Sequence, residues 1–264
     1  MGSDAYLDHL AVASESWNEL WPRYRGELGG TWVSGDEDGP GFAPAQVRYA
    51  NGMKVEVLMP NLPGQNDFLR RFLDRRGPGP HHVTFKVPSI TAAIGNVETA
   101  GYRPVGIDLR DPTWQEAFIH PKDGPGIVVQ LAEAPMEWSS PPPRAFPPAG
   151  ITPAATFDYV GLAVVDLPRA LELFVDLLDG LQTAAGRDEL FGTDFIELGW
   201  SSGGRIRLFT APHWIARGEN GVMHHAAFTV ADAATVAGAK PLDDGRFEVA
   251  PEDNLGVRLV LTSA

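Results

Sequence analysis

His9, Glu56, His82 and Gln130 are the residues of this chain whose types and placement can do chemistry together. Imidazole and carboxylate are ordinary ligands of first-row divalent metals, and a neutral amide oxygen can complete such a shell. Their placement follows an internal repeat. Four stretches begin alike: Asp8-His9-Leu10-Ala11-Val12, His81-His82-Val83-Thr84-Phe85, Asp158-Tyr159-Val160-Gly161-Leu162 and His224-His225-Ala226-Ala227-Phe228. Four others close alike, around Glu56, Gln130, Arg207 and Val260. The chain therefore reads as four copies of one small unit. The first two copies offer His9, Glu56, His82 and Gln130. The last two offer Tyr159, Arg207, His225 and Val260, which do not make a convincing ligand set.

The elements that must hold these residues follow from periodicity. Each unit opens with a strand and runs into a helix. Ser14 or Ser16 caps a first helix reaching towards Gly30, with Pro22 expected to kink or shorten it. Ser89 caps a helix over 90–100 that Gly101 ends, and Asp166 precedes a helix over 167–178. Extended segments follow each helix, and the fourth unit is expected to lack one strand. Strand parity places Val83, Phe85 and Val87 on one face and His82, Thr84 and Lys86 on the other. His9, Glu56 and Gln130 likewise oppose the most regular apolar stripe of their strands. If that stripe packs on helices, the polar face lines a cavity.

Pro141-Pro142-Pro143 and Pro147-Pro148 mark a proline-rich segment midway along the chain. It favours extended conformation and cannot join a sheet interior. The expected organisation is a metal-binding half over 5–134, a linker over 135–155, and a degenerate half without a metal site over 156–264.

The quoted residues resemble the vicinal oxygen chelate superfamily, which includes glyoxalase I, extradiol dioxygenases, fosfomycin-resistance proteins and methylmalonyl-CoA epimerase. The stretch from Phe72 to His82, with Gly77, Gly79 and the double histidine, resembles the epimerase most. So does the stretch from His120 to Leu131. The resemblance covers most of 5–134 and, for the fold only, 156–264. It implies an α+β fold of tandem βαβββ modules, with curled mixed sheets enclosing a cavity. It places His9, Glu56, His82 and Gln130 on the four metal-ligand positions and implies one divalent ion per chain (iron, cobalt, nickel, manganese or zinc). Relative to the epimerases, glutamate and glutamine are exchanged at the second and fourth positions. The ligand charge is unchanged, so a divalent centre keeps a net charge of about +1. Glutamate at the second position resembles glyoxalase I, and Glu56 is the candidate base. The epimerases also carry a glutamate base on the preceding strand, where this chain has Gln46. An amide cannot take a proton, and the four ligand positions offer no second carboxylate, so efficient methylmalonyl-CoA epimerisation is not expected.

Three functions are compatible with this set. The first is a metal-dependent isomerase or lyase that stabilises an enolate of a small carbonyl or carboxylate substrate. The second is a non-haem iron dioxygenase, because His9, His82 and Glu56 make two histidines and a carboxylate. The third is a small-molecule sequestering protein. Outside this set, His81 is read as structural and His120 as a turn hydrogen bond. Arg70, Arg71, Arg75 and Arg76 form a solvated helix end, and Trp114 and Phe118 are core or pocket wall.

The bulk properties agree with a small-molecule partner. A formal charge of −13 over 264 residues argues against nucleic acid and anionic membrane. With no cysteine there is no disulfide or thiolate chemistry. No apolar run reaches spanning length, and a cytoplasmic protein is expected. Two fused modules can complete a cavity within one chain, so a monomer suffices and a homodimer remains open.

Overall fold

The computed structural model describes residues 4–39, 41–151 and 153–264. Among them, two eight-stranded mixed sheets carry the chain. The first contains β1 (Tyr6–Ala13), β2 (Thr31–Gly35), β3 (Phe42–Arg48), β4 (Lys54–Pro60), β5 (Gly79–Lys86), β6 (Pro104–Asp108), β7 (Gln115–Ile119) and β8 (Val128–Glu133), in the order β2-β3-β4-β1-β5-β8-β7-β6. The second contains β9 (Thr156–Val164), β10 (Leu181–Asp188), β11 (Thr193–Gly199), β12 (Arg205–Phe209), β13 (Gly221–Val230), β14 (Lys240–Pro241), β15 (Phe247–Val249) and β16 (Leu259–Ser263). Its order, β10-β11-β12-β9-β13-β16-β15-β14, repeats that of the first. Each module is a strand, a crossover and a three-stranded antiparallel meander. Its first strand lies beside its last, parallel in β5–β8, β9–β12 and β13–β16.

The helices hold two surprises. Ser16 caps α1 (Trp17–Trp21), its side chain accepting from the Asn18 amide, but residues Pro22–Glu27 then widen into a π-helix. In the third module α4 (Leu167–Leu171), capped by Asp166, widens in the same way over Glu172–Leu177. That module has no proline at the transition, so Pro22 is not the cause. The widened turns bury Tyr24 in one helix and Phe174 in the other. Ser89 caps α3 (Ile90–Thr99), and Gly101 follows at φ +83°. The expectation for the fourth module was a lost strand. Its three meander strands are present though short, and the helix is what has gone: a single 3-10 turn at Ala233–Thr235 replaces it. Alanine and glycine in 231–239 offer too little apolar stripe for a longer helix to bury.

By contact density the chain forms two compact units. One comprises Met1–His9, His82–Glu137 and Tyr159–His225; the other comprises Leu10–His81, Trp138–Asp158 and Ala226–Ala264. The first unit is cored by Phe85, Phe174 and Trp200, with ring centroids 5.1 to 6.4 Å apart. Phe85 points here because β5 turns its odd residues away from His82 and Thr84. In the same unit Gly126, at φ +85°, lies so close to Gly221 that a Cβ would fall 1.9 Å from its carbonyl carbon. Only glycine permits that approach.

The second unit is cored by Tyr49, Phe157 and Phe228. An apolar cluster of Ala11, Ala13, Leu58, Leu69 and Leu73 also packs under α2 (Phe68–Arg76). The proline-rich segment carries no helix or strand among its described residues. Phe146 seats its ring edge-on to Trp21 and Trp32, at 5.1 and 5.0 Å, and the Trp32 indole donates to the Ser140 carbonyl at 2.7 Å. The segment is thus pinned to α1 and β2.

Candidate metal centre

β1 and β5 bring His9 and His82 together, with ring centroids 5.7 Å apart in an edge-on arrangement. β4 supplies Glu56. One ligand atom from each of His9, Glu56 and His82 lies within 4.8 Å of the others, and all three side chains are buried. Glu56 keeps 9% exposure and His9 none. Three convergent donors with one negative charge suit a divalent cation, and burying such a carboxylate without a compensating charge is costly. The donor set therefore fits a metal ion.

The groups around these donors fix their orientation. Asp8 Oδ2 lies 2.7 Å from His9 Nδ1, and both side chains are buried. A carboxylate there holds the proton on Nδ1 and leaves the Nε2 lone pair for the site, the arrangement common behind metal-bound histidines. Nε2 meets the Thr84 hydroxyl at 2.8 Å. The same hydroxyl donates to Gln130 Oε1 at 2.6 Å. Thr84 thus sits between His9 and Gln130, and its single proton can serve one of them at a time. Gln46 lies directly opposite Glu56 in the β3–β4 ladder and donates its Nε2–H to Oε1 at 3.2 Å.

A further carboxylate, outside the four ligand positions, stands on β7. Phe118 pairs with Gln130 in the β7–β8 ladder, so Glu116, two residues earlier, shares the face of Gln130. Gln130 donates its Nε2–H to Glu116 Oε2 at 2.7 Å, and the Trp114 indole donates to the same oxygen at 2.7 Å. Each half of the sheet therefore pairs an amide with a carboxylate, Gln46 with Glu56 and Gln130 with Glu116, with the two groups exchanged between strands. Sequence reading missed Asp8, Thr84 and Glu116 as site residues. Thr84 was detectable by parity from His82. Glu116 was not, because the loop between β7 and β8 hides the register.

Trp114 and Phe118 belong to these surroundings rather than to an anonymous core. Lys86 Nζ stands 3.5 Å over the Trp114 ring, and Phe118 meets His82 edge-on at 6.5 Å. His81 points the other way and packs against Phe68 and Phe72, at 5.5 and 4.8 Å. Burial pushes its imidazole down to about 4, so it stays neutral at pH 7. The His120 ring accepts from the Lys122 amide at 3.2 Å, a turn bond as expected. Arg70 forms ion pairs with Glu15 and Asp74 at the surface.

At the repeat-equivalent place in the second sheet a built-in cation stands instead. Arg207 forms an ion pair with Glu197 at 2.7 Å and lies 3.8 Å from Asp188, and its guanidinium stacks 3.9 Å from the Tyr159 ring. His225 is within 3.2 Å of the Tyr159 hydroxyl. His225 thus belongs to a polar cluster with Tyr159 and Arg207.

Among the described residues no helix is long and apolar enough to cross a membrane. Residues 8–118 match the family described as the Glyoxalase/Bleomycin resistance protein/Dioxygenase superfamily. An ethylmalonyl-CoA/methylmalonyl-CoA epimerase of Cereibacter sphaeroides is 29% identical over 133 residues, 48% of this chain and 96% of that protein. Among solved structures, a mutant of 4-hydroxymandelate synthase from Streptomyces coelicolor is similar in fold, with TM-score 0.59 at 14% identity, over 87% of this chain and 72% of its own. A methylmalonyl-CoA epimerase from Mycobacterium tuberculosis has TM-score 0.45 at 23% identity, over 52% of this chain and 93% of its own.

Proposed function

We propose, from a chain that belongs through residues 8–118 to the glyoxalase/bleomycin resistance/dioxygenase superfamily, that this protein is a divalent-metal-dependent isomerase or lyase for a small carbonyl or carboxylate substrate. The observation that carries the reading is the buried convergence of His9, Glu56 and His82. In this proposal those three residues and Gln130 hold the ion, residues 5–134 form the metal-binding half, and 156–264 form a half kept without a metal. The bound ion would supply Lewis acidity towards the oxygens of the substrate.

The protein's own groups do the rest. Glu56 accepts the proton from the carbon beside the carbonyl, and the electron pair of the broken C–H bond moves to the carbonyl oxygen. Gln46, bonded to Oε1 of Glu56, holds the plane of that carboxylate while it takes and returns the proton.

The sequence relation to a CoA-ester epimerase makes methylmalonyl-CoA the first substrate to test. Elemental analysis of protein purified without chelator, repeated on His9→Ala and His82→Ala, tests the centre. Metal content unchanged in both variants refutes it. Solvent deuterium incorporation into methylmalonyl-CoA tests the proton transfer: exchange without inversion supports a one-base enolisation by Glu56. Exchange with rapid inversion would restore a full epimerase. Two histidines and one carboxylate also favour a second reading, a non-haem iron dioxygenase. Substrate-dependent oxygen uptake by the iron-loaded protein decides for it.

A further inference from the structure

A glutamine side chain ends in two groups of similar size and opposite hydrogen-bonding sense, so its neighbours decide which one enters a site. At Gln130 the neighbours are unequal. On one side stands Glu116, whose carboxylate only accepts, 2.7 Å from Nε2. On the other side the Thr84 hydroxyl donates to Oε1 at 2.6 Å, and that hydroxyl lies 2.8 Å from His9 Nε2. Reversing the amide would set its oxygen against Glu116 Oε2, two acceptors at hydrogen-bonding distance. It would also turn the NH2 group towards His9, where a donor would repel a cation.

Glu116 is itself fixed. The Trp114 indole donates to the same Oε2 at 2.7 Å, and the Trp114 ring is covered by Lys86 Nζ at 3.5 Å. These residues lie on β5, β7, β8 and the turn before β7 within one compact unit. The arrangement is therefore a single rigid bracket behind one side chain.

Resting on the reading of Gln130 as a neutral oxygen ligand, we propose that Glu116 is a positioning residue: it holds the Gln130 amide so that its oxygen, and not its nitrogen, faces the metal site. It touches no ion itself. Its effect on metal binding passes wholly through the one side chain that has two unlike ends.

A double-mutant cycle read by metal affinity tests this, using zinc in competition with a chromophoric chelator on the full chain. Glu116→Ala is expected to weaken zinc binding about 10- to 100-fold, the usual effect of losing such a support. Glu116→Gln keeps an acceptor oxygen for Nε2–H and is expected to recover most of that loss. In a Gln130→Glu background the two ends of residue 130 are alike. There, adding Glu116→Ala is expected to leave affinity unchanged or to raise it, because a like charge is removed. Equal losses in both backgrounds mean a general scaffold role and overturn the proposal, as does unchanged affinity in Glu116→Ala. Unchanged affinity in Gln130→Ala removes the ligand role of Gln130 and this proposal with it, while leaving His9, Glu56 and His82 standing. Failure of the wild-type protein to take up zinc, cobalt or iron overturns the metal reading as a whole.

Discussion

Asp8→Asn separates the support that Asp8 would give to the proposed metal ligand His9 from its role in the fold. Asp8 Oδ2 lies 2.7 Å from His9 Nδ1, with both groups buried. In the wild type the carboxylate holds the Nδ1 proton and raises the basicity of Nε2. Asparagine can still accept that proton through its oxygen, so geometry survives and charge is lost. A support of this kind is worth about 10- to 100-fold in affinity. Asp8→Asn belongs near the lower end, about 10-fold or about 1.4 kcal/mol. Asp8→Ala also releases the ring and belongs near about 100-fold.

The metal-free fold should respond differently. The charge-assisted bond is worth roughly 1 kcal/mol more than its neutral replacement, but burying the carboxylate carries a desolvation cost that the amide avoids. The two nearly cancel, so the metal-free melting temperature should move by less than about 4 °C. Zinc titration against a chromophoric chelator and a thermal melt with chelator measure the two effects. If zinc uptake needs His9 yet Asp8→Ala binds as tightly as the wild type, the orienting role is wrong. A large fall in the metal-free melting temperature with Asp8→Asn would show instead that the pair serves the fold.

Glu56→Gln should weaken metal binding more than Gln130→Ala, because it removes the one negative charge among the proposed ligands; the opposite ranking in the same titration would mean that the two positions have been misassigned. Arg207→Leu removes the cation shared by Glu197 and Asp188 and leaves Glu197 with only its 3.5 Å pair to the more exposed Arg205. It should cost about 3 kcal/mol, the low end for a broken buried pair because the arginine side chain keeps 18% exposure; a denaturant melt measures it, and metal content should stay unchanged. Chelation of the wild type should lower its melting temperature, since a ligand bound only to the folded state stabilises it. The same treatment should leave the melting temperature of His9→Ala,His82→Ala unmoved.

The repeat, the capped helices and the two faces of each strand were legible along the chain because they are local. Ser16, Ser89 and Asp166 cap helices by bonding amides two or three residues ahead. The period-2 alternation of β5 separates His82 and Thr84 from Val83 and Phe85 without reference to any other strand. Those signals single out His9, Glu56, His82 and Gln130 as candidates. Features that depend on strand pairing were not legible. Glu116 joins the site through the register of β7 against β8, which an eight-residue loop from 120 to 127 leaves undetermined in one dimension. Thr84 becomes the bridge between His9 and Gln130 only when β1, β5 and β8 stand in order across the sheet. The π-helical turns were also decided by packing, because the burial of Tyr24 and Phe174 outweighs the weak preferences of the local chain.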